Sequence, residues 1–317
     1  NAASDAEESK KPLRFIDVGF AGKVVVPGVG VEENAMEPVD ATDPGNATSV
    51  SVDRATFVGL TAGAAVGLAA TARATAQMVL GKTHPPLVAE DDPAIVAQWI
   101  DEPPGYAAWP KDATAATPSL VVIMHIWGVD TSIRDVVRRY AKAGIAAIAP
   151  NLFAREHAPS GDGVSDMAIF RPFSKQLDRT QYDGDIRLAA AWLAAKFPQG
   201  KIGITGFCMG ATIVLQQTID NPSLFAAAAP FYGAVKDIDP AKVTIPICGS
   251  YGQRDTSIPA DDVLAWKKAL RVANDIVEYP QAGHAFFDDQ RASYVPSAAQ
   301  DAWLRTLSFF TKYLVTA

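Results

Sequence analysis

The fold turns on Lys201 to Ile219, KIGITGFCMGATIVLQQTI. It reads as a short apolar strand, a turn holding a cysteine between two glycines, and an apolar helix. The turn is Gly206-Phe207-Cys208-Met209-Gly210, or G-x-C-x-G. A nucleophile on such a strand-to-helix turn sits in a strained bend, so its neighbours two positions away must be small. Gly206 and Gly210 meet that need. The nucleophile would be a thiol, and the partial positive charge at a helix N-terminus favours the thiolate. Taken alone, the same cysteine also reads as a small buried hydrophobe.

Working outward, strands and helices alternate. SLVVIM from Ser119 is a buried strand, Ser132 to Ala143 an amphipathic helix closed by Gly144, and IAAIAP the next strand. Arg134, Arg138 and Arg139 on that helix read as a solvated face. Asn151 to Thr180 is long and irregular, as functional lids or partly helical covers are. Asp185 to Phe197 reads as a helix. Beyond the cysteine, LFAAAAPFYG and VTIPICGSYG are strands, Asp261 to Val272 a helix, IVEYP a strand, and Ser297 to Leu314 a closing helix with Trp303, Leu307 and Phe310 inward. Ile95 to Ile100 and Tyr106 to Trp109 suit short early antiparallel strands. The pattern implies an α/β class with a mostly parallel central sheet and helices on both faces.

The N-terminal quarter differs. Residues 1–53 are polar, acidic and turn-rich, the composition of a loosely ordered extension, with RFIDVGFAGKVVVPGVGV able to pair as a strand or two. Residues 54–76 have an arginine, an apolar Ala/Gly-rich run and small-residue triplets, the layout of an export signal. Arg54-Ala55-Thr56-Phe57 lacks the second arginine of a twin-arginine motif, and an Ala-rich helix packed on the domain is the competing reading. A working signal implies export to the periplasm; otherwise the protein is cytoplasmic. The main domain is expected over 77–317.

The chain has 317 residues and a net charge of −7, with no conspicuous basic patch, which argues against nucleic-acid partners. Two cysteines, Cys208 and Cys248, exclude a disulfide framework, and four scattered histidines suggest no metal or cofactor. No stable membrane span is expected. Cys248, inside a strand, reads as core.

A thiol nucleophile needs a base, and the base needs an orienting acid. Asp255 follows the VTIPICGSYG strand within GQRDTSIP, and His284 follows IVEYP within AGHAF. Both stand at strand ends, where open α/β sheets carry their sites. An oxyanion would be met by the backbone N–H of Met209 and of Ile126 in His125-Ile126-Trp127-Gly128.

GFCMG, GQRDTSIP, AGHAF, and IWGV followed by an arginine-bearing helix and APNLFAR together resemble the dienelactone hydrolase family, or carboxymethylenebutenolidases, over about residues 95–315. The resemblance implies an α/β-hydrolase fold and a triad of Cys208, Asp255 and His284. It also implies hydrolysis of a lactone or activated ester through a thioester acyl-enzyme, with a small-molecule substrate; a monomer is expected. Two positions depart from the family. Where members that cleave dienelactone have a glutamate holding the resting thiol, this chain has His125, a candidate for tuning the site. Where they have a carboxylate-binding arginine after the histidine, it has Asp288. Trp127, Arg155, Arg171, Phe286 and Asp288 are candidates for contact with substrate. Two other classes fit the same residues: a non-catalytic binding protein on this fold, and a redox-sensing thiol with Cys248 as its partner. Because every expected strand of the main domain and the triad lie after residue 76, a chain lacking residues 1–76 should fold and keep its activity. Insolubility of the truncated protein would show that the Ala-rich segment packs on the domain.

Overall fold

The computed structural model describes residues 15–17, 23–25 and 87–315. Near the N-terminus, β1 (Phe15–Asp17) pairs antiparallel with β2 (Lys23–Val25), as that apolar stretch suggested. The rest of the extension expected over 1–53 and the signal-like segment 54–76 lie outside the described residues.

The main unit is built on an eight-stranded sheet. Its strands are β3 (Ile95–Ile100), β4 (Gly105–Pro110), β5 (Ser119–Ile123), β6 (Ala146–Pro150), β7 (Ile202–Phe207), β8 (Ala228–Phe231), β9 (Ser250–Gly252) and β10 (Val277–Tyr279). In space they run β10-β9-β8-β7-β5-β6-β4-β3. Only β4 opposes its neighbours, β3 and β6; the other pairs are parallel. β5 and β7 lie at the centre, in a register that pairs Ser119 with Ile202 and Ile123 with Gly206. Every residue of β5 is buried, so the strand is a continuous apolar run rather than an alternating one.

The helices are α1 (Thr131–Lys142), α2 (Arg171–Gln176), α3 (Arg179–Lys196), α4 (Met209–Asp220), α5 (Ala260–Ala269) and α6 (Pro296–Leu314). α1 and α6 share one face of the sheet, where the Tyr140 ring lies 4.7 Å from Trp303 and 6.2 Å from Phe310. α3 and α4 meet on the other face, joined by Arg179–Asp220 and Gln217–Asp183 contacts. Phe310 is fully buried, while Trp303 and Leu307 pack half-buried against the core.

The observed elements differ from the sequence reading in two places. α3 starts at Arg179, six residues earlier than expected, because Asp178 caps it by accepting a hydrogen bond from the Gln181 N–H at 3.1 Å. Its first turns are largely exposed and carry no apolar period, so periodicity could not reveal them. In VTIPICGSYG only Ser250–Gly252 is a strand; Pro246 has no N–H to donate, and Ile247 makes isolated bridges to Ala228 and Asn274. The irregular stretch after β6 is partly helical, one of the two forms expected of it, holding a short 3-10 turn (Met167–Ile169) and α2.

The largest correction concerns α1. Arg134, Arg138 and Arg139 do not form a solvated face. Arg138 is 1% exposed and donates to the Val88 carbonyl at 2.7 Å and the Tyr106 hydroxyl at 3.0 Å. Arg139 binds Asp135 and Asp289, and Arg134 binds Asp162 at 3.0 Å. The segment entering β3 covers one side of the helix and the chain after His284 covers another. Arg138→Ala should therefore destabilise the protein by about 3 kcal/mol, since it strands a buried carbonyl, a hydroxyl and part of the Asp135 charge. Chemical denaturation measures this; an unchanged midpoint would mean that the arginine contributes nothing there.

Candidate active site

Cys208 stands between β7 and α4 with φ 56° and ψ −120°, a region that residues bearing a Cβ rarely occupy. The bend is held by its neighbours. The Cys208 N–H donates to the Phe231 carbonyl at 3.1 Å, and the Cys208 carbonyl accepts from Ala211 at 3.1 Å, opening α4. Both glycines are required by space. A Cβ on Gly206 would lie 2.8 Å from the Gly210 carbonyl oxygen, and one on Gly210 would lie 2.4 Å from that of Met124. The turn is thus pressed against the end of β5.

The thiol meets an imidazole and a carboxylate from two later strand ends. His284 Nε2 is 3.0 Å from Cys208 Sγ, and His284 Nδ1 is 2.7 Å from Asp255 Oδ2. Asp255 Oδ1 accepts from the N–H groups of Ser257 at 2.8 Å and Ile258 at 3.2 Å, which fixes the carboxylate. Burial disfavours charge on His284, but its hydrogen bonds to Asp255 and Cys208 outweigh burial and push its pKa up to about 10. Burial likewise raises the Cys208 thiol, and the His284 hydrogen bond and charge, with the Met209 N–H, bring it below its ordinary value. Both shifts favour the thiolate–imidazolium pair over thiol and neutral imidazole. The Tyr232 ring, on a residue with φ 44°, lies 5.2 Å from the His284 ring.

Met209 opens α4 directly after the thiol, and Ile126 lies in the turn between β5 and α1. The Gly128 N–H closes that turn onto the His125 carbonyl at 3.1 Å. Trp127 is half-buried, with an edge-on contact to His125 at 5.1 Å between ring centroids. It walls a cleft of about 330 Å³ with Trp99, Phe153, Arg134, Glu90 and Asp162 among the lining residues.

The remaining candidates are dispersed. Arg155 is held by Asp185 through two hydrogen bonds of 2.6 Å, beside Pro103 and Pro104. Arg171 is exposed at the start of α2. Phe286 is fully buried between Tyr232 and Tyr279, so its ring is core rather than a substrate wall. Asp288 is 4% exposed and faces inward to Ser132 and Arg291, so it does not present a bare charge to a substrate. His125 is buried and faces Asp130 at 2.9 Å and Asp288 at 3.5 Å. Sequence reading missed Arg291, Asp130 and Tyr232. Asp130 precedes the expected start of α1 at Ser132 and caps the helix through the Ile133 N–H, and Arg291 stands seven residues past His284 with no motif to mark it. Among the described residues there is no cluster of three or more His, Cys, Asp or Glu suited to a metal ion, and no helix long and apolar enough to cross a membrane.

With this geometry in view, comparison with known proteins gives a consistent result. The sequence model of the dienelactone hydrolase family matches residues 104–314. A Yersinia pestis protein named "Putative carboxymethylenebutenolidase" is 38% identical over 232 residues, covering 68% of this chain and 86% of the relative. An Escherichia coli K12 protein of the same name is 36% identical over 248 residues, covering 72% and 91%. Among solved structures, a Klebsiella pneumoniae protein titled "Putative Dienelactone Hydrolase" superposes with a TM-score of 0.64 at 34% identity, covering 69% of this chain and all of that one.

The close approach at the turn gives a direct expectation. Alanine is the better helix former by about 1 kcal/mol, yet Gly210→Ala should destabilise the protein by about 1–3 kcal/mol, because rigid backbone carbonyls block the added methyl. Thermal unfolding checks the sign; a raised melting temperature would show that the end of β5 yields.

Proposed function

The chain belongs to the dienelactone hydrolase family, and we propose that it hydrolyses uncharged esters or lactones through a cysteine acyl-enzyme. The observation that carries this reading is the continuous Cys208–His284–Asp255 chain, with its 3.0 Å and 2.7 Å contacts. The Cys208 thiolate adds to the carbonyl carbon, and the Met209 and Ile126 N–H groups receive the oxyanion. His284 gives its proton to the departing alkoxide oxygen, leaving a thioester. His284 then takes a proton from water as the hydroxide adds to the thioester. Collapse of that intermediate expels the Cys208 thiolate, which again pairs with protonated His284, and frees the acid. Asp255 holds the imidazole in place throughout.

Support for an uncharged substrate comes from the arginines. Arg134, Arg155 and Arg291 each have carboxylate partners, which leaves them poor partners for a substrate carboxylate. Trp127, next to Ile126 in the chain, also walls a cleft with Trp99 and Phe153; Cys208 and His284 do not line it, and its aromatic surface suits a planar or apolar group. This preference rests on paired arginines rather than on repulsion by Asp288. A redox role is disfavoured by Cys248, which is buried against Thr306 with its thiol pushed up to about 12, chiefly by burial.

Cys208→Ala should lower kcat for a chromogenic aryl ester by about 10⁴-fold or more while leaving the fold intact, and Cys208→Ser should be much weaker than the native protein. A stoichiometric burst of product is expected from the native protein. Esterase activity retained in Cys208→Ala would sink the mechanism. Comparing kcat/KM for dienelactone and its methyl ester tests the substrate class; a preference for the free acid would mean that one of the arginines reaches the substrate.

A further inference from the structure

His125 lies just before Ile126, at the end of β5 where α4 presses on the chain. It is 3% exposed, and both of its ring nitrogens face carboxylates. Nε2 is 2.9 Å from Asp130 Oδ1, and Nδ1 is 3.5 Å from Asp288 Oδ2. A neutral imidazole has one N–H and one lone pair, so in either tautomer a lone pair would face a carboxylate oxygen; only the imidazolium presents an N–H to both.

The surrounding charges agree. Asp130 Oδ2 accepts from Arg291 Nη2 at 3.0 Å, and Asp288 Oδ2 accepts from Arg291 Nε at 3.3 Å. Asp288 Oδ1 accepts from the Ser132 hydroxyl at 2.9 Å and the Gln290 N–H at 3.1 Å, and Asp130 Oδ1 also caps α1 through the Ile133 N–H. Two carboxylates therefore face Arg291 and His125, and the cluster is neutral only when His125 carries a proton. Cys208 lies close by, because the turn it opens packs on the residues just before His125, where a Cβ on Gly210 would come 2.4 Å from the Met124 carbonyl oxygen and 2.6 Å from that of Ile123; the Tyr232 ring lies 5.2 Å from that of His284, and Asp289 is paired with Arg139 of α1. The Arg291 guanidinium stacks 3.9 Å from the Trp127 ring centroid and donates to the Val164 carbonyl, joining the cluster to the segment after β6.

We propose that His125 is a positioning residue for Cys208: a permanently protonated imidazolium, clamped by Asp130 and Asp288, whose buried positive charge supports that of His284 in keeping the thiol ionised in the resting protein. Burial opposes that charge on His125, while Asp130 and then Asp288 outweigh it and raise its pKa; the His125 charge in turn contributes to lowering the thiol of Cys208. His284 gives up its proton to the leaving group during turnover. His125 does not, and so supplies a positive charge at every stage. The inference takes from the proposed reaction only the identity of the nucleophile.

The test reads thiolate rather than turnover. Iodoacetamide alkylation of Cys208 is followed against pH in the native full chain, His125→Gln and Asp288→Asn, while ¹⁵N-histidine NMR reports the protonation of the native imidazoles. Both His125 ring nitrogens should show protonated shifts across pH 6–8. His125→Gln should move the alkylation midpoint up by about one pH unit, about tenfold slower below the midpoint. Asp288→Asn should move it up by less and let His125 lose its proton within the measured range. Coincident profiles for the native protein and a folded His125→Gln, or a neutral His125 at pH 7, would overturn the proposal. If His125→Gln does not fold, Asp288→Asn decides: an alkylation profile that coincides with the native one while His125 loses its proton would overturn the proposal. A readily alkylated Cys208 without ester turnover would count against the hydrolase reading and leave this one standing.

Discussion

At Cys208 the backbone is held in a conformation that costs about 1–3 kcal/mol for a residue with a side chain. Much of the architecture serves to hold it there. β7 lies between β5 and β8, so the chain enters the bend from a strand hydrogen-bonded on both edges. Gly206 and Gly210 let α4 begin in contact with the strand ends, and the Phe231 carbonyl accepts from the bent residue itself. The bend also points the thiol toward the carboxyl ends of the strands. Asp255 and His284 reach it there from β9 and β10 without any long-range rearrangement.

A second layer of organisation is electrostatic and lies behind the thiol. α1 carries arginines that would be ordinary on a surface but are here enclosed by the segment before β3 and by the chain after His284. Each is matched to acids: Arg138 to Asp135 and Glu90, Arg139 to Asp135 and Asp289, Arg134 to Asp162 and Glu90. Arg291 and His125 repeat the arrangement with Asp130 and Asp288. Such networks add little stability over apolar packing, but losing one member leaves a buried charge uncompensated. They therefore tie α1, the turn after β5 and the loop after His284 into one arrangement around the thiol.

Legibility from sequence varied with the range of the signal. The turn around Cys208 was readable because its constraint is local: two glycines, an apolar strand and an apolar helix within twenty residues. The positions of Asp255 and His284 were readable because each follows a strand with its own apolar pattern. The first turns of α3 were not, since Arg179 to Gly184 lack the period that marks an amphipathic helix and only the cap at Asp178 sets their start. The arginines of α1 were misread for a related reason. Periodicity reports which residues are polar, and a polar face covered by other polar groups looks the same as one covered by water.

The amino-acid sequence by itself determined the α/β class, the parallel core, the strained cysteine turn and the order of thiol, acid and histidine, because all of these follow from patterns within one strand and its adjoining turn. Tertiary structure alone decided the partners of the charges. It paired Arg155 with Asp185, turned Asp288 inward toward Ser132 and Arg291, buried Phe286 between two tyrosines, and set His125 between two carboxylates. Several of those contacts join residues far apart in the chain, 30 positions for Arg155 and Asp185 and 156 for Ser132 and Asp288. No local pattern encodes which of several acids a buried base will meet; that depends on which loops the folded sheet brings to the same strand ends.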